Sequence, residues 1–515
     1  MTMVKKLLAV SFTVFLSFAA INVLAQKTRT APALPQAYVD TTLIPPTGNT
    51  ISLAAGGNLQ TALNTAQPGD LITLAAGATY TGSFTLPVKP GSRYITVQTA
   101  GFSTPGRLTP SGALAKIVTP STEPAISAAP RAHHFRFIGV EIHATGSIDT
   151  LVLLGSSSET NVAKQPDHII FDRCYIHGDA NAGGKRGVSF QGSHLAVIDS
   201  YLSDWKGEGY DTQAIAGWNG PGPFKIANNY LEGAGENVMF GGADTVKTNL
   251  TPSDIEIRNN TFFKPLSWKL GDPSYAGVQW SVKNLLELKH AQRVLIENNV
   301  FENCWTQAQN GTAIVLTPRN QQGTNPWAVV QDITFRRNTV RYVEEGMRIL
   351  GHDSPNVSLT TKRVLFENNL WQHIGRPADT SWVYAILSGV EDLTINHETA
   401  DQQASSLILA AGSPKNLRFT FTNNIGRHNL YGIIGDNVGV GNAAIAYYFP
   451  GADIRRNILI GADPAYYPAD NFFPATIAAV GFENYPTDLR LASTSPYYNQ
   501  GTDGTSPGVQ GEELP

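Results

Sequence analysis

Short stretches of alternating apolar and polar residues recur along the chain, and each is only a few residues long. Between positions 283 and 319 the pattern predicts strands at 285–289, 293–299 and 300–305, and a new strand at 313–317. Three short strands joined by tight turns and followed by a fresh one are typical of a parallel β-solenoid. We therefore interpret this stretch as one coil and the start of the next.

An asparagine follows many of these strands in the same apolar frame. The series consists of Asn229, Asn260, Asn299, Asn338, Asn369, Asn424 and Asn457, with Asn396 dividing the longest gap, and Cys174, Val140 and more loosely Ser200 extending it upstream. Most spacings lie between 31 and 39 residues, inside or near the range of solenoid repeats. Buried asparagines at stacked turns hydrogen-bond to one another, so we expect a ladder that holds the coils in register.

A short helix is predicted before the first coil. Leu59, Leu63 and Ala66 fall on one helical face. Asn58 is suited to cap the helix start, and the Pro-Gly-Asp sequence at 68–70 ends it. Because the first coil of a solenoid exposes a strand edge that invites aggregation, we expect this helix to cover that edge.

The N-terminus has the pattern of an export signal. Two lysines precede an apolar run at 7–20, and small residues suit cleavage after position 25. We predict a signal peptide at 1–25, an extended lead segment at 26–48 and one β-helix domain at 49–515. A retained membrane anchor is the alternative, although the apolar run is short for a membrane span. The mature protein is expected to be secreted or periplasmic.

Composition and cysteine content agree with a solenoid, which extends one core along its axis and so accommodates 515 residues in one domain. Only 15% of the residues are charged, and 48 glycines and 31 prolines suit many short strands and turns. The formal net charge of −4 argues against general binding to nucleic acid or anionic membranes.

Cys174 and Cys304 lie four repeats apart, so we expect two separate buried thiols. We also expect a monomer.

The chain resembles exported right-handed parallel β-helix proteins of the pectate-lyase-like superfamily. The resemblance rests on the helix and Pro-Gly-Asp opening, the Ile-x-x-Asn-Asn-x-Phe repeats and the closing segment at 488–504. It covers nearly all of the mature chain. It implies an all-β fold, a single-stranded right-handed parallel β-helix with a short N-terminal capping helix. This architecture hosts lyases, hydrolases, epimerases and binding proteins, so the resemblance is specific for fold and not for activity.

The resemblance also implies that a glycan binds along the groove over the first strand of each coil. First strands are predicted at about 237–241, 285–289, 313–317, 347–351 and 384–388. Alternation turns Leu286 and Leu288 inward and Leu285 outward. The outward polar and aromatic residues on or just beyond these strands are Glu287, Lys289, Thr317, Arg319, Arg348, His352 and Tyr384. Since adjacent coils lie about 4.8 Å apart, we expect a basic stripe with an aromatic edge.

A basic stripe suits the cleavage of uronic-acid polymers by β-elimination. The barrier falls when cations neutralise the uronate carboxylate while a base takes the adjacent proton. We predict Lys289, Arg319 and His352 as catalytic residues, with Lys289 or His352 as the base, and with Arg319 and Arg348 holding the carboxylate. Alginate and chondroitin lyases of related β-helix families use a lysine and an arginine on neighbouring coils, an arrangement that Lys289 and Arg319 resemble. Their NKS and LRHG signatures are replaced here by ELKH and LTPRN.

Two long loops add candidate substrate-binding aromatic residues. Residues 264–283 include Trp268, and residues 320–327 include Trp327. Loops that lengthen beside one groove commonly carry function, and aromatic rings stack on sugars. The alternative is that these rings only pack the loops onto the barrel. The predicted substrate-binding residues are Glu287, Arg348, Trp268, Trp327 and Tyr384.

Two alternatives to a lyase, and a calcium site, remain open from the sequence. A glycoside hydrolase needs paired carboxylates. Asp211, Glu236, Asp244 and Glu287 are available, whereas residues 344–345 are expected to be solvated. Calcium is a possible cofactor if three of these carboxylates, Glu236, Asp244 and Glu287, converge. A non-catalytic glycan-binding or surface protein is the last alternative, with outward charges that only form cross-coil salt bridges. The expected partner is an acidic polysaccharide and not a nucleic acid.

Overall fold

The chain winds as one solenoid whose coils contribute strands to three long sheets. The computed structural model describes residues 29–376, 380–511 and 514, so the predicted signal peptide lies outside the described residues. We name the sheets 1, 2 and 3 in the order in which the chain visits them within a coil; they contain 13, 14 and 13 strands. Neighbouring strands in these sheets are parallel, except for the last pair of sheet 1. The predicted all-β, right-handed parallel β-helix is confirmed.

The strand bounds show how short each segment is. Sheet 1 consists of Phe84–Leu86, Ile126–Ala128, Thr150–Leu154, Arg186–Phe190, Gln213–Gly217, Glu236–Phe240, Asn284–Leu288, Thr312–Leu316, Glu345–Leu350, Trp382–Leu387, Ser406–Ala411, Gly432–Gly435 and Gly439–Val440. Sheet 2 consists of Thr50–Leu53, Leu71–Leu74, Ile95–Thr99, His133–Ile138, Asp167–Asp172, Ser193–Ile198, Phe224–Ala227, Ser253–Arg258, Ala291–Glu297, Val330–Arg336, Lys362–Glu367, Glu391–Asn396, Thr420–Thr422 and Asp453–Arg455. Sheet 3 consists of Thr79–Thr81, Ala115–Thr119, Val140–Ala144, Tyr175–His177, Tyr201–Ser203, Tyr230–Glu232, Thr261–Phe263, Val300–Cys304, Thr339–Val343, Leu370–Ile374, Thr399–Asp401, Ile425–Arg427 and Ile458–Ile460.

Apolar side chains from all three sheets form one continuous core along the axis. Leu286 and Leu288 are buried in it as predicted, but Leu285 is buried in the same core and not turned outward. Tyr384 pairs in register with Met347, which also belongs to the core. The prediction that Tyr384 faces outward is therefore wrong: its side chain is 1% exposed and packs inside the barrel.

The predicted asparagine ladder is present between sheets 2 and 3. The Oδ1 atom of Asn299 accepts the backbone N–H of Asn260 at 2.9 Å, and the Oδ1 atom of Asn338 does the same for Asn299. Upstream, the ladder continues through Ser200 to Cys174. The prediction that Asn396 belongs to the ladder is wrong, because Glu398 occupies that rung. Its carboxylate accepts the backbone N–H of Asn369, and its own N–H donates to Asn424.

Helices lie at both ends of the solenoid. Helix Leu59–Thr65 begins at Asn58, whose side chain accepts the N–H of Thr61, as the sequence predicts. Leu59 and Leu63 of this helix are buried in the main core. A second helix, Asn442–Tyr448, lies at the other end and was not predicted. Four single-turn 3-10 helices and a hairpin complete the structure: Val162–Lys164, Leu266–Trp268, Pro464–Tyr466, Ile477–Val480, and Phe482–Asn484 with Asp488–Leu491.

The described part of the lead segment, residues 29–48, runs across the outer face of sheet 2. Every third residue donates its backbone N–H to an aspartate near the start of a sheet 2 strand; the pairs are Thr30 with Asp392, Ala33 with Asp332 and Gln36 with Asp254. Val39 is buried against Ile170, Ala196 and Ile198 of the same sheet. We call residues 29–42 the strap.

The cysteine prediction is confirmed, since Cys174 and Cys304 are both free and buried. Burial raises the pKa of each thiol to about 12. In the part of the chain that the structure describes, no helix has the length and apolar character needed to cross a membrane.

Candidate functional site

The outer face of sheet 1 is the surface on which the sequence predicts a glycan-binding groove. The five first strands predicted from the sequence all belong to sheet 1, and their bounds differ from the predicted ones by one or two residues. Met239, Glu287, Val315 and Arg348 follow one another in register across four coils. We call this surface, with the turns at both ends of its strands, the sheet 1 groove.

Glu287 and Lys289 form an ion pair in this groove. The Nζ atom of Lys289 lies 3.1 Å from Oε2 of Glu287, and both side chains are largely buried. Burial raises the pKa of the Glu287 carboxyl to about 7, although the ammonium group of Lys289 acts in the opposite direction. Glu287 therefore retains its proton to a higher pH than an exposed glutamate.

Lys283 adds a second buried ammonium group that the sequence analysis missed. Its Nζ atom lies 2.8 Å from Oδ2 of Asp211 and 2.9 Å from Oε1 of Glu236. Burial alone would raise the pKa of Glu236, but Lys283 and Lys289 outweigh this effect and hold the pKa below its usual value. Burial would likewise lower the pKa of Lys283, but Glu236 and Glu287 outweigh it and raise that pKa. Two carboxyl groups on adjacent coils thus have pKa values shifted in opposite directions.

Arg319 lies directly beside Lys289 on the next coil. The backbone N–H of Arg319 donates to the carbonyl of Lys289 at 2.9 Å. The guanidinium group of Arg319 donates to Oδ1 of buried Asp353 at 2.6 Å, and the backbone N–H of Asn320 donates to Oδ2 of the same carboxylate. His352 precedes Asp353 in this turn, at the end of strand Glu345–Leu350. The structure therefore brings together the turns that carry all three predicted catalytic residues.

Arg348 faces the groove as predicted and contacts an aromatic ring. Its guanidinium carbon lies 5.6 Å from the ring centre of Trp382, and its side chain lies 3.6 Å from the carboxylate of Glu345. The Nε atom of Arg348 and the Nε1 atom of Trp382 are buried without a hydrogen-bond partner among the described residues. The prediction that Glu345 is solvated is wrong, because it is buried and accepts a hydrogen bond from Thr312.

The predicted substrate-binding aromatic residues have different positions. Trp268 is 4% exposed and packs with Trp280 and Trp305 in a small cluster beside the groove, so its ring faces are covered. This corrects the prediction that Trp268 stacks on sugar, because the ring packs its loop onto the barrel. Trp327 is half-buried, and its indole N–H donates to the carbonyl of Leu250 at 3.0 Å. Tyr384 is inside the barrel, as described above.

Trp218 extends the aromatic surface of the groove in the upstream direction. The guanidinium carbon of Arg186 lies 5.0 Å from its ring centre. Both residues line a cavity of about 240 Å³ together with Asp149, Leu153 and Gln191. The sequence analysis did not select Arg186.

The carboxylates suggested for calcium do not form a cation site. Asp244 accepts backbone N–H groups from Gln322 and Thr324 at 3.0 and 2.9 Å, so it orders the loop at 320–327. Lysine ammonium groups lie against the other two carboxylates, Glu236 and Glu287. In the described ranges, the groups of three histidine or acidic ligand atoms within 4.8 Å of one another lie outside this groove.

The arrangement combines cations with a protonatable carboxyl group. Lys289, Arg319 and Arg348 occur on three successive coils, and Arg319 and Arg348 have side chains that are 31% and 32% exposed. The planar guanidinium groups of Arg319 and Arg348 are suited to binding a carboxylate. Glu287, whose carboxyl has a raised pKa, lies within proton-transfer distance of Lys289. The groove is therefore suited chemically to an anionic ligand.

Comparison with known proteins identifies the architecture. No family model matches the chain, and no curated protein matches it. Among solved structures, the catalytic unit of a GH87 α-1,3-glucanase from Streptomyces thermodiastaticus is 13% identical, with a TM-score of 0.50, and the match covers 85% of this chain and 71% of that one. An alginate lyase from Paenibacillus sp. is 14% identical with a TM-score of 0.34, over 82% of this chain and 99% of that one. The similarity to the glucanase shows a shared fold, the right-handed parallel β-helix.

Proposed function

We propose that the protein is an exported carbohydrate-active enzyme that cleaves a uronic-acid-containing polysaccharide by β-elimination in the sheet 1 groove. The observation that carries the proposal is the placement of Lys289 and Arg319 side by side on adjacent coils, joined by a 2.9 Å backbone hydrogen bond. Arg348 follows on the next coil, so three cations line the path of one chain of sugars.

The proposed reaction assigns a role to each cation. Arg319 and Arg348 bind the uronate carboxylate and withdraw charge from it, which acidifies the proton on the adjacent ring carbon. Lys289, as the neutral amine, takes this proton. The electron pair of the broken C–H bond forms a C=C bond, and the glycosidic C–O bond breaks. The ammonium group of Lys289 then has a proton for the departing oxygen.

Glu287 regulates the charge of the proposed base. A lysine must lose its proton before it acts as a base, and Glu287 lies 3.1 Å from its Nζ atom. Burial raises the pKa of Glu287 to about 7, and a protonated Glu287 attracts a cation at Nζ of Lys289 less strongly than an ionised glutamate does. We therefore assign Glu287 to positioning Lys289, in addition to its predicted contact with substrate.

The test compares lysine and arginine variants on a panel of alginate, pectate and glycosaminoglycan substrates. Lys289→Arg keeps a cation beside Glu287 but cannot act as a base, so activity falls by about 10²–10⁴-fold while the fold is retained. Arg319→Ala also loses activity. Ultraviolet absorbance of the unsaturated product measures the rate.

Matched controls separate catalysis from surface charge. Lys362→Arg changes a half-buried lysine at the start of a sheet 2 strand. Arg341→Ala removes an arginine of sheet 3 that pairs with Glu302 at 2.7 Å, as Arg319 pairs with Asp353. Both controls are expected to keep full activity. Equal rates for wild type and Lys289→Arg would remove the lyase proposal.

A glycoside hydrolase is the second candidate, favoured by the opposite pKa shifts of Glu236 and Glu287. Hydrolysis uses one ionised and one protonated carboxyl group, and diverging pKa values are the mark of such a pair. In that case new reducing ends appear without ultraviolet absorbance, and Glu236→Gln abolishes them while Glu344→Gln does not. Binding of the polymers with neither product identifies a non-catalytic glycan-binding protein.

A further inference from the structure

A cluster on sheet 3 lies outside the sheet 1 groove and has no part in the proposed reaction. Glu141 and His143 alternate on the strand Val140–Ala144, so both side chains point to the same face. His177 of the next coil pairs in register with His143. The three side chains are partly exposed, with 12%, 21% and 16% of their surface accessible in that order.

Hydrogen bonds determine which nitrogen of each imidazole ring carries a proton. Nδ1 of His143 lies 3.2 Å from the carbonyl of Ala144, and Nδ1 of His177 lies 2.8 Å from the carbonyl of Gly178. A carbonyl oxygen only accepts, so each Nδ1 carries the proton and donates it. The neutral rings then have their lone pairs on Nε2.

Both Nε2 atoms lie near the same carboxylate oxygen of Glu141, whose other oxygen lies 3.8 Å from Nζ of Lys116. Oε1 of Glu141 lies 3.4 Å from Nε2 of His177 and 3.8 Å from Nε2 of His143. Three lone pairs that face one another repel unless a proton or a cation lies between them. Two ligands at about 2.0–2.1 Å from a tetrahedral zinc ion lie roughly 3.4 Å apart. This equals the separation of Glu141 and His177, whereas His143, at 3.8 Å, must move closer to Glu141 to complete the site.

We propose that Glu141, His143 and His177 bind a divalent transition-metal ion, with zinc as the best fit to this ligand set. Two imidazoles and one carboxylate suit zinc better than magnesium or calcium, which prefer oxygen ligands. The carbonyl groups that accept from Nδ1 are the outer partners that orient metal-binding histidines. The exposed side of the cluster leaves one position for water, and the ion joins two adjacent coils.

The other group of histidines is less suited to a metal ion. His134 and His168 stack with an interplanar angle of 7°, and His143 and His177 stack at 15°, so ring stacking does not separate the two groups and the hydrogen bonds at Nδ1 do. The Nδ1 atom of His168 contacts Asp167, and that of His134 lies 2.8 Å from Nδ1 of His133. Backbone carbonyls hold neither ring in the metal-binding tautomer.

The test titrates zinc chloride into the full chain after treatment with a chelator and measures affinity by competition with a chromophoric chelator. Wild type is expected to bind one ion at this site, and His177→Ala and Glu141→Gln to weaken binding by at least about 100-fold. His373→Ala is the control, because that ring also lies on sheet 3 but stacks on Tyr342 at 4.7 Å. It is expected to leave zinc affinity unchanged.

Cobalt provides a readout that does not depend on stability. Co²⁺ bound by wild type is expected to show the intense visible absorption of a tetrahedral site, and Glu141→Gln to lose it with its fold verified by circular dichroism. His134→Ala is expected to keep the absorption. Equal zinc affinity and equal cobalt spectra for wild type and His177→Ala would overturn the proposal and leave a histidine–glutamate ion pair only. The proposal would also be overturned if His134→Ala lost zinc binding while His177→Ala and Glu141→Gln kept it.

Discussion

At the scale of single residues, Glu398 shows how one carboxyl group organises its surroundings. It occupies an asparagine rung, and its Oε1 atom accepts both the backbone N–H and the side-chain N–H of Asn369. Its Oε2 atom accepts from Nε1 of Trp371 and from the hydroxyl of Tyr384, each at 2.7 Å. Tyr384 points into the barrel, where its ring is buried and its hydroxyl has Glu398 as a partner. Burial raises the pKa of Glu398 to about 7, and the hydrogen bonds from Trp371, Tyr384 and Asn369 oppose that rise.

Glu398→Gln is expected to destabilise the fold by about 1–3 kcal/mol, because its amide N–H₂ would face the N–H of Trp371, and two donors cannot bond. The variant also changes the pH dependence. The folded-state pKa of Glu398 lies above its usual value of 4.5, so its stability contribution is complete below 4.5 and falls as pH rises towards about 7. Urea unfolding across this range measures both effects.

The variant should lose less stability than wild type between these pH values, since glutamine does not titrate. Glu367→Gln changes a half-buried glutamate of sheet 2 and serves as a control. An identical pH slope for wild type and Glu398→Gln would show that Glu398 keeps an ordinary pKa in the fold.

At the scale of elements, the coils are held in register by the ladder as much as by the strands. Asn299 illustrates the connection, since its Oδ1 atom accepts from Asn260 and its Nδ2 atom donates to Asn338 and to the carbonyl of Ile257. Each rung therefore satisfies buried backbone groups at a turn where no strand partner reaches. This explains why the ladder is visible in the sequence: a local turn requirement recurs once in every coil.

Asn299→Ala is expected to lower the free energy of unfolding by about 1–3 kcal/mol for each buried group that it leaves unpaired. One of these groups is the backbone N–H of Asn260. The midpoint of urea unfolding measures the loss. Asn310→Ala, at an exposed turn of the same coil, is expected to change it little. Equal midpoints for the two variants would show that the ladder contributes nothing to stability.

At the scale of the whole molecule, the strap connects coils that are far apart in the chain. Its contacts with Asp254, Asp332 and Asp392 skip one coil each time, a distance of about 9.6 Å. Three residues of polyproline II helix rise about 9.3 Å, so a segment with prolines at positions 32 and 35 matches this spacing. Arg293 and Arg363 form ion pairs with two of these aspartates, Asp254 and Asp332.

Val39→Asp is expected to release the strap, because the change places a charge in the buried contact with Ile170 and Ala196. Limited proteolysis should then cleave within residues 29–42, while the solenoid from the first helix onward stays intact. Leu43→Asp changes an exposed neighbour and is the control. If the strap of Val39→Asp resists proteolysis as well as that of wild type, the aspartate contacts alone hold the strap.

Features that depend on local periodicity followed from the sequence alone. Alternation, turn residues and the recurring asparagine predicted the β-helix, the capping helix and the first strands, because each coil repeats the same local requirements. The adjacency of Lys289 and Arg319 followed from this register. Only the tertiary structure decided which charges pair, since Lys283 meets Asp211 across 72 residues of sequence. It also decided that Tyr384 and Trp268 are covered, because burial depends on partners from distant coils and loops that no local pattern specifies.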